Sequence, residues 1–223
     1  MNIIINSEEF VAHLTSIVGV VDRKQTMPIL GHVLISGHSG EITLTATDLE
    51  VQISSSFKAN ISEDFSITLP GRKLFDILRS LGNTDVEIVS NDDAVTLKTA
   101  KSKFSLQQLP ANEFPLFEKP DGEQAFNMPQ TDLASLLNKT QFAMAQQDVR
   151  FYLNGLLLEI NSESLNVVGT DGHRLAKTNL AIDKKSIIEQ SCIVPRKAIQ
   201  ELTRSLSESK ECKVSLVDNQ ASF

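Results

Sequence analysis

The chain repeats itself. "PILGHVLISGHSGEITLTATDLEVQIS" (Pro28–Ser54) and "FYLNGLLLEINSESLNVVGTDGHRLAKT" (Phe151–Thr178) share one pattern: an apolar run with a glycine, a polar turn, an alternating run, then Thr-Asp opening a third run. Gly31 matches Gly155 at an offset of 124, and Asp48 matches Asp171 at 123. A further block agrees, because "ITLPGRKLFDILRSL" (Ile67–Leu81) aligns with "CIVPRKAIQELTRSL" (Cys192–Leu206), where Arg72 and Arg196 again stand 124 apart. Matches in one order at nearly one offset mean a supersecondary unit used twice. The expected modules are 1–121 and 122–223, with the turn-forming Pro120-Asp121-Gly122 at the boundary.

Apolar spacing predicts the same plan for each copy. A helix is expected over 6–24, with Phe10, Leu14, Ile17, Val18 and Val21 on one face. Another is expected to open at Pro70, turning Leu74, Ile77, Leu78 and Leu81 inward. In the second copy the helices are expected over 129–147, burying Leu133, Leu136, Leu137 and Met144, and from Pro195, burying Ile199, Leu202 and Leu206. Proline suits a first helical turn, where its missing N–H costs nothing. Most of the remainder alternates with period two, as in "EITLTATD" and "DAVTLKTA". Two helices on one side of antiparallel strands make each module α+β. The second copy is expected to be cut short. The first continues through "KTAKSKFSLQQLPANEFP" (Lys98–Pro115), whereas the second reaches only "KVSLVDNQASF" at Phe223, so its closing strands are expected to be missing.

Charge narrows the function classes. The formal net charge of −7 argues against a purely electrostatic grip on a polyanion. The acid is unevenly spread, however. Residues 70–82 carry Arg72, Lys73 and Arg79 against Asp76, and residues 195–207 carry Arg196, Lys197 and Arg204 against Glu201. Such helices are either solvated faces or weak, salt-sensitive phosphate contacts. The two cysteines, Cys192 and Cys212, have neither disulfide-framework nor zinc-site spacing, which points to a reducing, cytoplasmic setting. No apolar run approaches the ~18 residues of a membrane span.

The stretch "TDGHR" (Thr170–Arg174) carries an acid, a base and a guanidinium in five residues. A hydrolase using Asp171 and His173 would need a nucleophile or partner base, and nothing nominates one. The other reading makes Asp171 a turn residue bonding local backbone amides. It is favoured because copy one keeps the aspartate at Asp48 without any "GHR". His13, His32 and His38 are scattered, without metal-ligand spacing, and "SGHSGE" (Ser36–Glu41) reads as a hairpin turn instead of a phosphate loop. No metal or cofactor is expected.

Taken together, the duplicated module, the "GRK" and "PRK" helix starts, "QDVRFYLNG", "TDGHRLA", "TMPILGHVLI", "TATDLEV" and "FSLQQLPANEFP" resemble the bacterial DNA polymerase sliding clamp family. The likeness runs from Met1 to Phe223 and covers the first module and most of the second. It implies a non-enzymatic processivity factor. Chains of three such modules pair head to tail into a homodimeric ring around double-stranded DNA, with helices lining the hole.

By resemblance, DNA contacts fall on Lys24, Arg72, Gln147, Phe151 and Tyr152. For Phe151, burial in a "FYLNG" strand is the alternative. A pocket for short peptide motifs of the replicative polymerase catalytic subunit, the clamp loader, and repair and translesion polymerases would use Leu153, Thr170, Gly172, His173, Arg174 and Leu175. The subunit interface would use Lys73, Lys101, Lys103 and Leu106, where the alternative is an edge strand guarded by lysines. A module that binds partners without enclosing DNA remains the other non-enzymatic reading.

Overall fold

The structure, a computed structural model, describes residues 2–21, 27–91, 94–117, 125–182, 189–208, 210–217 and 220–223. Pro120-Asp121-Gly122 and Lys24 lie outside the described residues. The chain divides into two compact units, Met1–Phe117 and Glu118–Phe223.

In the first unit, β1 (Asn2–Asn6) runs into α1 (Ser7–Ile17). Strands β2 (His32–His38), β3 (Glu41–Thr47), β4 (Gln52–Lys58) and β5 (Phe65–Pro70) follow, then α2 (Gly71–Leu81). Strands β6 (Asp85–Ser90), β7 (Ala94–Lys98) and β8 (Lys103–Gln107) complete it. All pairs are antiparallel, in two sheets ordered β4-β3-β2-β5 and β1-β6-β7-β8. Helix α1 packs on β3 and β4, and α2 on β2 and β5. Phe10, Leu14, Ile17, Leu74 and Leu78 are buried between helices and strands, as their 3.6-residue spacing requires. The β2–β3 connection is a two-residue hairpin with φ of 51° at Ser39 and 80° at Gly40, which matches the twist of the strands it joins.

The second unit repeats this plan with β9 (Ala125–Pro129), α3 (Gln130–Thr140), β10 (Gly155–Ile160), β11 (Ser164–Thr170), β12 (Leu175–Ala181) and β13 (Gln190–Pro195). It closes with α4 (Arg196–Ser205), β14 (Glu211–Val217) and β15 (Gln220–Ser222). Its four-stranded sheet has the order β12-β11-β10-β13, with α3 on β11 and β12 and α4 on β10 and β13. Its other sheet is β15-β14-β9, three strands among the described residues where the first unit has four. The α+β duplication expected from the sequence is the architecture observed.

Three local expectations need correction. The first concerns the prolines. Pro70, Pro129 and Pro195 do not occupy first helical turns; each is the last residue of a strand and the N-cap, with the helix starting one residue later. Each still pairs across its sheet, with His32, Glu211 and Gly155 respectively. The fixed proline φ suits an extended strand exit equally well. At α1 the same position is Asn6, whose side chain accepts from the amides of Glu8 and Glu9.

The second concerns helix length. Helix α3 stops at Thr140 instead of running to 147. The Thr140 hydroxyl donates back to the carbonyls of Leu136 and Leu137, and its own carbonyl abuts Gly169 of β11, so closely that a Cβ there would lie 2.6 Å from the oxygen. Helix α1 likewise ends at Ile17, not 24. Met144 is buried, but in the loop beyond the helix.

The third concerns "FYLNG", which is not a strand: Phe151–Leu153 form a single 3-10 turn ahead of β10.

Candidate functional site

Thr-Asp opens the same turn in both units. In the first, Asp48 Oδ1 accepts from the backbone N–H of Glu50 (3.1 Å) and Val51 (2.8 Å). In the second, Asp171 Oδ1 accepts from His173 and Arg174, both at 3.0 Å. Each preceding threonine hydroxyl takes one more amide at 3.1 Å, Leu49 on Thr47 and Gly172 on Thr170. The turn reading of Asp171 therefore stands. Those two backbone amides are the leading reason its carboxyl sits below the ordinary aspartate range. Thr170 Oγ1 also donates to the Arg174 carbonyl at 2.8 Å, so this hydroxyl is committed to the turn and is no activated nucleophile.

Around that turn the second unit forms a cleft of about 340 Å³, lined by Phe142, Met144, Ala145, Gln146, Asp148, Asp171, His173, Arg174 and Arg196. One wall is the loop from Gln141 to Asn154, tied off at several points. Asn154 Oδ1 accepts from Asp148 N–H (3.0 Å), and Asn154 Nδ2 donates back to the Asp148 carbonyl (2.8 Å). Ala145 N–H reaches the Leu153 carbonyl at 3.0 Å. Arg196, first residue of α4, donates through one terminal nitrogen to the carbonyls of Met144 and Ala145, both at 3.3 Å, and its backbone N–H donates to Asn154 O at 2.9 Å. The matching Arg72 does similar work, its Nε donating to the Val21 carbonyl at 2.8 Å.

Two ion pairs organise the charge. Asp148 receives Arg150 Nε (3.0 Å), Nη2 (2.9 Å) and backbone N–H (2.8 Å), and these bonds pull its carboxyl down to about 2. Asp171 Oδ2 receives Arg174 Nε at 2.9 Å, while the Arg174 guanidinium lies 5.7 Å from the centroid of the Phe142 ring. Gly172, at φ 87°, lets the Arg150 guanidinium approach so closely that a Cβ there would meet both its terminal nitrogens at 3.2 Å.

Of the six residues expected in a peptide pocket, His173 and Arg174 line this cleft, and Thr170 and Gly172 shape the turn beneath it. Leu175 is exposed beside them. Leu153 is buried and is not among the residues lining this cleft; its carbonyl accepts from Ala145 N–H in the cleft wall. Sequence reasoning missed Phe142, Met144, Gln146, Asp148, Arg150 and Arg196. The signal available was "QQDVR" next to the repeat arginine Arg196.

Among the expected DNA contacts, Phe151 is 85% and Tyr152 59% exposed on their 3-10 turn, which overturns the buried-strand alternative for Phe151. Gln147 is exposed at φ 55°, and Arg72 is half-buried by its bond to Val21. Lys73, Lys101 and Lys103 are exposed, the last on β8, a sheet edge. Leu106 is 1% exposed and belongs to the core, because its alternation along β8 turns it inward; it offers no surface for an interface. No group of three or more His, Cys, Asp and Glu side chains fit to hold a metal occurs among the described residues, and none of their helices is long and apolar enough to cross a membrane.

Two family models match the chain: the N-terminal domain of the DNA polymerase III beta subunit over residues 1–118, and its central domain over 127–223. The beta sliding clamp of Pseudomonas aeruginosa is 43% identical over 93% of the chain and 57% of its own length. That of Escherichia coli is 38% identical over 92% and 57%. The crystal structure of the DNA polymerase III subunit beta from Pseudomonas aeruginosa superposes with a TM-score of 0.90 at 41% identity, covering 97% of this chain and 60% of that one. The Caulobacter crescentus pol III beta structure gives 0.88 at 32%, covering 99% and 61%. The chain thus spans less than two thirds of the length of these relatives.

Proposed function

The chain belongs to the DNA polymerase III beta subunit family, the beta sliding clamps, and from that premise we propose that it is the DNA-enclosing, partner-tethering part of a cytoplasmic processivity factor. It is not an enzyme. In the assembled homodimer the modules surround double-stranded DNA, so retention comes from closure of a ring and a net charge of −7 is no obstacle. Contacts with phosphate are few and weak, which permits sliding. Arg72, Gln147, Phe151 and Tyr152 supply them, together with Lys24; Lys73, Lys101 and Lys103 face the partner subunit. The module boundary near residue 121 is the joint between the two repeats.

Tethering is the task of the cleft beside the Thr170–Arg174 turn. The observation that carries this reading is internal to the molecule. Both units build the same Thr-Asp turn, but only the second places His173 and Arg174 on it, where the first has Glu50 and Val51. An apolar lining of Phe142 and Met144 beside guanidinium and imidazole donors suits a short peptide segment. Such segments would come from the replicative polymerase catalytic subunit, the clamp loader, and repair and translesion polymerases.

The test is fluorescence anisotropy of a labelled C-terminal peptide of the replicative polymerase titrated with the chain. Saturable binding weakened at least fivefold by His173→Ala combined with Arg174→Ala is expected, at about 1 kcal/mol or more. Binding unchanged by both substitutions removes the cleft from the mechanism.

A further inference from the structure

The repeat ties the same two positions together in both units. In the first, Arg72 of α2 donates its Nε to the Val21 carbonyl at 2.8 Å. In the second, Arg196 of α4 donates one terminal nitrogen to the carbonyls of Met144 and Ala145, both at 3.3 Å. An offset of 123 carries Val21 onto Met144, and both are buried shortly after the first helix of their unit ends. The same offset carries Lys24 onto Gln147, each three residues further along the chain. In both copies, then, an arginine at a helix start holds the main chain just ahead of a position assigned to DNA contact.

In the second unit the loop beyond Met144 is built as one stiff body. Ala145 N–H closes its neck on the Leu153 carbonyl at 3.0 Å. Asp148 and Asn154 exchange two bonds, and Asp148 takes three more from Arg150. The amides of Leu153 and Asn154 return to the carbonyls of Arg150 and Phe151. Gln147 is held at φ 55°, a conformation that a glutamine keeps only where its surroundings impose it. From this body Gln147, Phe151 and Tyr152 stand exposed. Arg196 spans the neck. Its guanidinium holds Met144 and Ala145 on one side, and its backbone N–H holds the Asn154 carbonyl at 2.9 Å on the other. A stiff loop gripped at both ends has the place of its tip set by the grip.

We infer that Arg196 is a positioning residue for DNA contact: it sets where Gln147, Phe151 and Tyr152 meet the duplex and does not itself reach a phosphate. The inference rests on the reading of those three residues as DNA contacts and adds the residue through which α4 places them.

The experiment titrates a labelled short duplex with the chain by fluorescence anisotropy over a range of salt. The variants are Arg196→Met, a loop variant combining Gln147→Ala, Phe151→Ala and Tyr152→Ala, and all four substitutions together. Arg196→Met is expected to weaken binding about threefold or more at low salt with the salt slope unchanged, because the three contacts it governs carry no charge and release no counterion. In the loop variant the same substitution is expected to cost less than about 1.5-fold, since the residues it acts through are gone. Arg196→Gln keeps a neutral donor for the carbonyls and is expected to recover part of the loss, again at the wild-type slope. Tyr152 is the sole tyrosine in a chain without tryptophan, so its emission reports the loop directly. Its anisotropy without DNA is expected to fall in Arg196→Met as the loop loosens.

A salt slope lowered by about one in Arg196→Met or Arg196→Gln would put the arginine on a phosphate and overturn the positioning role. An undiminished loss in the loop variant, or unchanged Tyr152 emission in Arg196→Met, overturns it too. Unweakened binding by Arg196→Met overturns it while leaving the loop contacts intact. If truncating the loop leaves DNA binding unchanged, or the wild-type chain shows no saturable binding, the DNA-contact reading falls and the inference falls with it.

Discussion

Leu49 and Gly172 occupy the same corner of the same turn, with φ of 76° and 87°. Each is the residue after the turn aspartate, and each donates its N–H to the preceding threonine hydroxyl at 3.1 Å. Glycine takes this left-handed conformation freely, whereas a leucine Cβ is strained there by about 1–2 kcal/mol. Leu49 is exposed, so little packing offsets the strain. Replacing it with asparagine, which tolerates the left-handed region and restricts the unfolded chain more than glycine does, is expected to raise stability by about 1 kcal/mol in chemical denaturation. No gain on Leu49→Asn would mean that Leu49 makes contacts worth as much as its strain.

Gly31 and Gly155 align in the repeat, yet they answer to different constraints. A Cβ on Gly31 meets nothing within 4 Å, whereas one on Gly155 falls 2.4 Å from the Val194 carbonyl oxygen of the paired strand β13. Backbone held in a paired strand cannot move aside cheaply. Gly31→Ala is expected to change stability by no more than about 0.5 kcal/mol, and Gly155→Ala to cost more than about 2 kcal/mol, both read from denaturant midpoints. Equal effects would show that the match reflects shared descent of the letter and nothing in its local packing.

That contrast marks how far the sequence could be read. Periodicity found the buried faces of the four described α-helices, because Phe10, Leu14, Leu74, Leu78, Leu133, Leu137 and Ile199 fall at helical spacing whatever surrounds them. It overran the ends of α1 and α3. The end of α3 meets a tertiary contact, where the Thr140 carbonyl abuts Gly169, and no pattern within the helix encodes that. The Asp171 turn was legible because its twin lacked the catalytic-looking neighbours. Phe142 and Arg150 were not. They converge on the turn from 32 and 21 residues upstream of Arg174 and Asp171 respectively, and only folding shows the proximity. The burial of Leu106 and Leu153 was not legible either, because family position says nothing about which way a side chain faces.

Acid should loosen the second unit in a defined window. Arg150 holds the Asp148 carboxyl down to about 2 from an ordinary value of 3.8. A depressed folded pKa stabilises fully above the unfolded value and is lost as pH falls through the folded one. The melting temperature is therefore expected to drop between about pH 4 and about pH 2, and Asp148→Asn to flatten that part of the profile while leaving the neutral side flat. Because this pair is exposed, the slope should also weaken in high salt. A profile for Asp148→Asn that superposes on the wild type would assign the acid transition to other carboxylates.

Arg196 joins the helix α4 to both ends of the loop that forms the cleft wall, through Met144 and Ala145 at one end and Asn154 at the other. Its side-chain bonds are charge-assisted and half-buried, and truncation leaves two carbonyls short of a donor. Arg196→Met is expected to cost about 1–2 kcal/mol. The loss should be local as well as global, since the loop depends on this strut for its spacing from α4. Amide exchange at Ala145 and Asp148, whose N–H groups bond to Leu153 O and Asn154 Oδ1, should accelerate in the variant more than exchange in the β10–β11 ladder. The matching substitution Arg72→Met removes one bond to Val21 and should destabilise the first unit less. Uniform acceleration across the second unit in Arg196→Met would mean that the arginine contributes to the core as a whole and does not set the position of the loop.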